Sequence, residues 1–373
     1  MISSDFFKSI SSHFFKSISN SYEFPNSGDV ENIQEDDKQC VDHKLLSNLS
    51  KNQYFRELDE GIGISTSGTS IDQLILRVPS RNGKPDVSKY LKNLLDIKIR
   101  KDDEYFNLTF SVYNIVRSTT ISEIYDVLFL LFKSHMPQIL NSTIIAKSIE
   151  YPIDLALNFD ENSSLLRMLK GILSARYNGY KSFSIEDSSF YEFTAYSFKA
   201  KFDWNLQKVK TLVKFQIYNK SRDVARVSKI DISNFIPTTR FEFTVLNSTS
   251  EFSEKTLFSY KEMYRLFLNS ISPTEFNRFE EVASETLFDI FCQKKANLPR
   301  LEVTSFIVIY YRFFLTEGIF KRFYQLLYQG KFIKSPYRIY KHKFFKKKVA
   351  DIVKFTSLVE LNQLIFELTS QLS

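Results

Sequence analysis

Cysteine is nearly missing from this 373-residue chain, which holds Cys40 and Cys292 and no others. A disulfide framework is excluded, and neither thiol lies in a Cys-x-x-Cys or Cys/His cluster of metal-binding spacing. The four histidines, His13, His43, His135 and His342, are scattered and form no His-x-His pair. No Gly-x-x-x-x-Gly-Lys loop occurs, which argues against an intrinsic ATPase or helicase. Long apolar runs are also missing. The longest, VLFLLF at Val127 and FIVIYY at Phe306, fall well short of the roughly 20 residues a membrane helix needs. The first residues contain no apolar stretch of signal-peptide length and no small-residue cleavage site, so a cytoplasmic protein without a membrane partner is expected.

What is present has the balance of a globular protein, with 43% hydrophobic and 25% charged residues. The length leaves room for roughly two to three domains. A net charge of +7 and a pI near 9.0 suit a polyanionic partner, and where the charge lies matters more than its sum. Residues 4–19 carry a short duplication, SDFFKSIS then SHFFKSIS, whose period is too short for a solenoid. From Tyr22 to Asp42 seven acids face the single base Lys38, with almost no apolar periodicity. Residues 1–65 therefore read as a flexible acidic tail, 66–250 as an α+β domain and 251–373 as a helical, basic region.

Alternation predicts strands at Asp72 to Val78, Leu95 to Ile99, Phe106 to Val112 and Phe193 to Trp204. Thr120-Ile121-Ser122-Glu123 has the capping-box pattern and predicts a helix to about Met136. A second helix is expected over Ser164 to Ala175, weakened by Gly171. Ser272-Pro273-Thr274-Glu275 opens another, combining an N-cap serine with proline at the first helical position. Ile319 to Tyr328, ending at Gly330, and Ser357 to Thr369 complete the helical part.

Three strands share a chemical pattern. Glu150 to Asp160, EYPIDLALNFD, sets Ile153, Leu155, Leu157 and Phe159 against Asp154, Ala156, Asn158 and Asp160. Lys214 to Asp223, KFQIYNKSRD, alternates until Tyr218 and then breaks at the turn-forming Asn219-Lys220-Ser221. Arg240 to Val245, RFEFTV, sets Phe241, Phe243 and Val245 against Arg240, Glu242 and Thr244. The expected fold is an antiparallel sheet with helices on one face and an open face that carries Asp154, Glu242, Tyr218, Lys220 and Arg240. Two carboxylates can hold a hard divalent cation, Mg2+ or Mn2+, through oxygen ligands. Such a cation can polarise a phosphodiester. A phenol ionises near pH 10 and needs help from metal, base or neighbouring cations to attack at neutral pH. Polar-faced strands are ordinary in half-exposed sheets, so the order and spacing of the three must carry the reading.

Ile217-Tyr218-Asn219-Lys220, Asp223 and Arg240-Phe241-Glu242 resemble the signature of the replication initiation factor family. Its members are the trans-acting initiators of rolling-circle plasmids and the related replication proteins of filamentous phages. The upstream IDLALNFD is similar to that family's Asp-containing strand, although Pro152 stands where the family usually has arginine. The resemblance covers residues 145–250 well, the helical region loosely and the amino-terminal tail not at all. It implies an enzyme that recognises a replication origin, as duplex and as an extruded single-stranded hairpin, and nicks one strand. Tyr218 would become joined to the 5′ phosphate, Asp154 and Glu242 would hold the metal, and Lys220 and Arg240 would contact phosphate or orient the acids. Dimerisation, a recruited helicase and a polymerase that extends the free 3′ hydroxyl are further implications. The lack of paired histidines argues against the other large class of rolling-circle nucleases. The alternative from another class is a non-catalytic origin-binding plasmid protein that melts or bridges DNA.

Tyr113, in SVYNIVR, ends an alternating strand but lacks the following Lys and the downstream Arg-x-Glu, and reads as a structural or DNA-contacting residue; Tyr340, in RIYKHK, is a second decoy. The run KFIKSPYRIYKHKFFKKK holds eight bases, Lys331, Lys334, Arg338, Lys341, Lys343, Lys346, Lys347 and Lys348, with no acid and five interleaved aromatics. Cations that neutralise phosphates beside rings that stack on bases suit a nucleic-acid contact.

Overall fold

The computed structural model describes residues 71–80, 97–102, 104–111, 120–136, 139, 143–177, 190–196, 212–229, 231–335 and 355–372. The acidic amino-terminal segment, Tyr113, Tyr340 and most of the basic run lie outside the described residues. Among the described residues seven strands form one sheet: β1 (Gln73–Pro79), β2 (Lys98–Asp102), β3 (Tyr105–Ser111), β4 (Ile145–Leu155), β5 (Phe190–Tyr196), β6 (Leu212–Asn219) and β7 (Thr239–Leu246). Their order is β2-β3-β1-β4-β7-β6-β5, and every neighbouring pair is antiparallel. Eight helices accompany them among the described residues: α1 (Ile121–His135), α2 (Ser163–Tyr177), α3 (Lys220–Ser228), α4 (Glu254–Asn269), α5 (Pro273–Asn297), α6 (Val303–Ile309), α7 (Glu317–Gln329) and α8 (Leu358–Ser370). The protein is therefore α+β, with a helical carboxyl-terminal region.

Period-two alternation turns Val213, Phe215 and Ile217 of β6 and Phe241, Phe243 and Val245 of β7 to one side, where all six are buried. Helix α4 packs there. Phe243 stacks on Tyr264 with ring centroids 4.8 Å apart, Phe215 meets Phe267 at 5.4 Å, and the Tyr151 hydroxyl donates to the Leu257 carbonyl at 2.7 Å. Each such side chain contributes on the order of 1.5–3 kcal/mol by leaving water, so this side holds the sheet to its helices. Core residues of the sheet and of α4, α5, α7 and α8 belong to one continuous cluster.

Helix boundaries follow their caps. Ser272 accepts from the Glu275 amide at the start of α5, with Pro273 at the first helical position, and Ser357 with Glu360 forms a reciprocal capping box at α8. Gly171 sits inside α2 because a Cβ there would lie 2.5 Å from Cε2 of the Phe279 ring. Strand β4 runs from Ile145 to Leu155 and stops earlier than the alternation through Asp160 implies. The Asn158 side chain accepts the amides of Asp160 and Glu161 at 3.1 and 3.4 Å, which turns the chain toward α2. No helix among the described residues is long and apolar enough to cross a membrane.

Candidate active site

The polar side of the sheet centres on β4, β7 and β6. In register, Asp154 pairs with Arg240 and Arg240 with Tyr218, while Glu242 pairs with Pro152 and Gln216. Side chains that pair across strands share a face, so Asp154, Arg240, Tyr218 and Glu242 come together on the side away from the helices. Tyr218 donates its phenolic hydrogen bond to Glu242 Oε2 at 3.2 Å.

The chain beyond Tyr218 is a helix start, where the residue types imply a turn. Asn219 is the N-cap of α3, and its side-chain oxygen accepts from the Arg222 amide at 2.9 Å. Asparagine serves turns and caps alike, and the next nine residues decide for the cap. Ser221 then ties α3 to the segment entering β7: its hydroxyl donates to the Ile236 carbonyl at 2.7 Å and accepts from the Thr238 amide at 2.8 Å. These bonds fix the end of β6 against the start of β7, and so Tyr218 against Arg240. Lys220 Nζ lies 5.9 Å from the centre of the Tyr218 ring and 3.8 Å from Asp223 Oδ2.

Arg240 is 2% exposed and is held from two directions. Its Nε and Nη2 donate to the two oxygens of Asp154, both at 2.7 Å, and its Nη1 donates to Asp72 Oδ2 at 2.7 Å. Burial alone would lower the Arg240 pKa, but the Asp154 hydrogen bonds and the charges of Asp154, Tyr218 and Asp72 hold it well above its ordinary value. Asp154 is thus committed at both oxygens to the guanidinium. Pro152, the next residue toward the amino terminus on the same face of β4, has no side-chain donor to offer Asp154, and Arg240 serves it from β7.

Three carboxylates, Asp72, Glu150 and Glu242, each offer an oxygen such that the three atoms lie within 4.8 Å of one another. An all-oxygen donor set on three segments fits a hard cation of the Mg2+ or Mn2+ kind. The electrostatics agree. Burial first, then a hydrogen bond and charge from Glu242 and charge from Asp72, push the Glu150 carboxyl up to about 9, against the opposing pull of Arg240. Crowded acids that hold a proton at neutral pH without a cation are a site in which a cation is favourable. Burial also raises the Tyr218 phenol, with Arg240 opposing and Glu242, Asp72 and Asp154 adding to the rise. Burial and then Arg240 lower the Lys220 ammonium.

The sequence-expected residues Tyr218, Lys220, Arg240, Asp154 and Glu242 are brought together, and Glu242 joins the three-acid group. Asp154 does not, and two residues that the motif reading left out, Asp72 and Glu150, take part. Glu150 was reachable by counting back from Asp154 through Pro152 in steps of two. Asp72 precedes β1 and reaches Arg240 across 168 residues, a contact that no local pattern signals. Of the basic run, Lys331 and Lys334 are exposed beyond α7, while Arg338, Lys341, Lys343, Lys346, Lys347 and Lys348 lie outside the described residues.

No family model matches the chain, and no curated protein matches its sequence.

Proposed function

We propose that this chain nicks and rejoins one strand of DNA as a rolling-circle replication initiator, with Tyr218 as nucleophile. The observation that carries the reading is the shared carboxylate: Glu242 accepts the Tyr218 hydrogen bond and also belongs to the three-acid group. A nucleophile and a cation site joined through one residue are what a metal-assisted transesterification at phosphorus needs. Asp72, Glu150 and Glu242 would hold Mg2+ or Mn2+, which when bound would supply charge stabilisation to the phosphodiester oxygens.

In this reading the Tyr218 oxygen bonds to phosphorus, the bond from phosphorus to the 3′ oxygen breaks, and the phenolic proton passes to Glu242. The leaving 3′ oxygen takes a proton from solvent. The product is a 5′-phosphotyrosine and a free 3′ hydroxyl for a polymerase, and the reverse attack by a 3′ hydroxyl rejoins the strand without ATP. Arg240 fixes Asp72 and Asp154 in place, and Lys220 stands beside the ring to meet phosphate. The dipole of α3 adds positive potential just behind the nucleophile. Binding of origin DNA, a helicase and a second copy of the chain belong to the same proposal.

The test is supercoiled DNA carrying the chain's own gene and flanking sequence, incubated with purified protein and Mg2+ or Mn2+. Nicking with a protein-linked 5′ end, lost in Tyr218→Phe, supports the reading. Absence of any adduct from the wild-type protein refutes it. The burial that keeps Tyr218 protonated favours a second reading, a non-catalytic origin-binding protein, for which metal-independent binding without cleavage is the signature.

A further inference from the structure

Among the described residues strand β5 is an edge of the sheet, and its first residue, Phe190, pairs in register with Tyr218. The two side chains therefore stand on the same face, with ring centroids 5.9 Å apart at 38°. The next pair on the same face of the two strands, Glu192 with Gln216, is polar. Beside them Gln216 donates to Glu192 at 3.1 Å, and Lys214 lies 3.4 Å from the same carboxylate. Phe190 packs beside Tyr218 and still keeps 38% of its surface exposed. The order β7-β6-β5 places the Glu242 carboxylate on one side of Tyr218 and the Phe190 ring on the other.

We propose that Phe190 is the stacking platform for an unpaired base beside the phosphate that Tyr218 attacks, an inference that rests on the nicking reading above. A phosphate at the Tyr218 hydroxyl leaves the adjoining nucleotide free to extend toward β5, where the exposed ring offers an apolar face. Only a base whose own face is free can use it. In duplex DNA each base is already sandwiched by its neighbours, so the platform selects a single strand at the reacting phosphate. Stacking on one aromatic ring is worth enough to change affinity roughly tenfold to hundredfold and is tolerant of base identity.

The experiment uses the full chain with Tyr218→Phe, so that no reaction intervenes. It is titrated with a fluorescent single-stranded oligo-dT of about 12 nucleotides and with the matching duplex. Phe190→Ala in that background is expected to weaken single-strand binding by about tenfold or more, Phe190→Trp to keep it within roughly threefold, and neither to change duplex binding. Should the alanine variant melt early, Phe190→Leu keeps the volume, removes the π face and is expected to show the same loss. Unchanged single-strand affinity in Phe190→Ala, or an equal loss for duplex, overturns the platform. Adduct formation by the wild-type protein, measured in parallel, separates the two ideas. An adduct together with unchanged affinity removes the platform alone, and no adduct removes the nicking reading and the platform with it.

Discussion

Glu242 lies 3.2 Å from the Tyr218 hydroxyl and at the same time has a carboxylate oxygen within 4.8 Å of those of Asp72 and Glu150. This one side chain couples the phenol to the acidic group. The consequences divide the acids of the polar face into those that can meet a cation and those that hold the frame.

Metal affinity should separate Asp154 from the three-acid group. Glu150→Gln and Glu242→Gln each replace a carboxylate by a neutral amide, whose single oxygen is a weaker donor, and are expected to abolish measurable Mn2+ binding in titration calorimetry. Asp154→Asn acts only through Arg240 and Asp72, and its expected cost is on the order of tenfold. Equal losses in all three variants would return Asp154 to the ligand set.

Arg240→Met should destabilise strongly. It leaves Asp154 and Asp72 without the guanidinium that holds them at 2.7 Å, with Asp154 itself buried. Removing one partner of a buried pair costs about 3–5 kcal/mol. Urea denaturation should show that loss, and Asp154→Leu combined with Arg240→Met should recover part of it. A loss below about 1 kcal/mol would mean that the pair is solvated, as surface pairs are.

The pH dependence of the chelator-treated protein has a definite sign. Glu150 titrates near 4.5 when unperturbed and is pushed up to about 9 in the folded chain. The folded state therefore holds a proton that the unfolded chain releases, so its contribution to stability is full below about 4.5 and falls away as pH rises toward about 9. The slope is on the order of 1.4 kcal/mol per pH unit at most. Glu150→Gln, neutral throughout, should flatten the decline and exceed wild type in stability at alkaline pH. Parallel urea curves for the two proteins across that window would contradict the assignment.

Gly171→Ala sets helix propensity against packing. Alanine gains about 1 kcal/mol in a helix interior over glycine. At this position its Cβ would lie 2.5 Å from the Phe279 ring, and overpacking costs about 1–3 kcal/mol. A lower melting temperature is expected, and a higher one would show that the ring can move aside.

Local pattern carried much of the fold. The alternations at β1, β3, β6 and β7 and the caps at Ser272 and Ser357 are properties of neighbouring residues, and the structure reproduces them. Where competing uses of one residue decided the outcome, pattern was insufficient. Asn219 suits a turn or a cap, and α3 makes it a cap. Asn158 stops β4 through its own side chain, which alternation does not register. Gly171 reads as a weak helix residue until Phe279 is seen against it. The site follows the same rule. Tyr218, Arg240 and Glu242 lie on two strands joined by a short excursion, and their shared face follows from register. Asp72 immediately precedes β1, and its place beside Arg240 depends on the strand order, which no single stretch encodes.

The most direct measurement is the chemical identity of the covalent link. Protein reacted with DNA carrying its own origin, in Mn2+, is digested and its nucleotide-bearing peptide sequenced by mass spectrometry. The expected result is a single adduct on Tyr218, absent in Tyr218→Phe. An adduct on Tyr113 or Tyr340 in its place, or no adduct on any tyrosine, would contradict Tyr218 as the nucleophile.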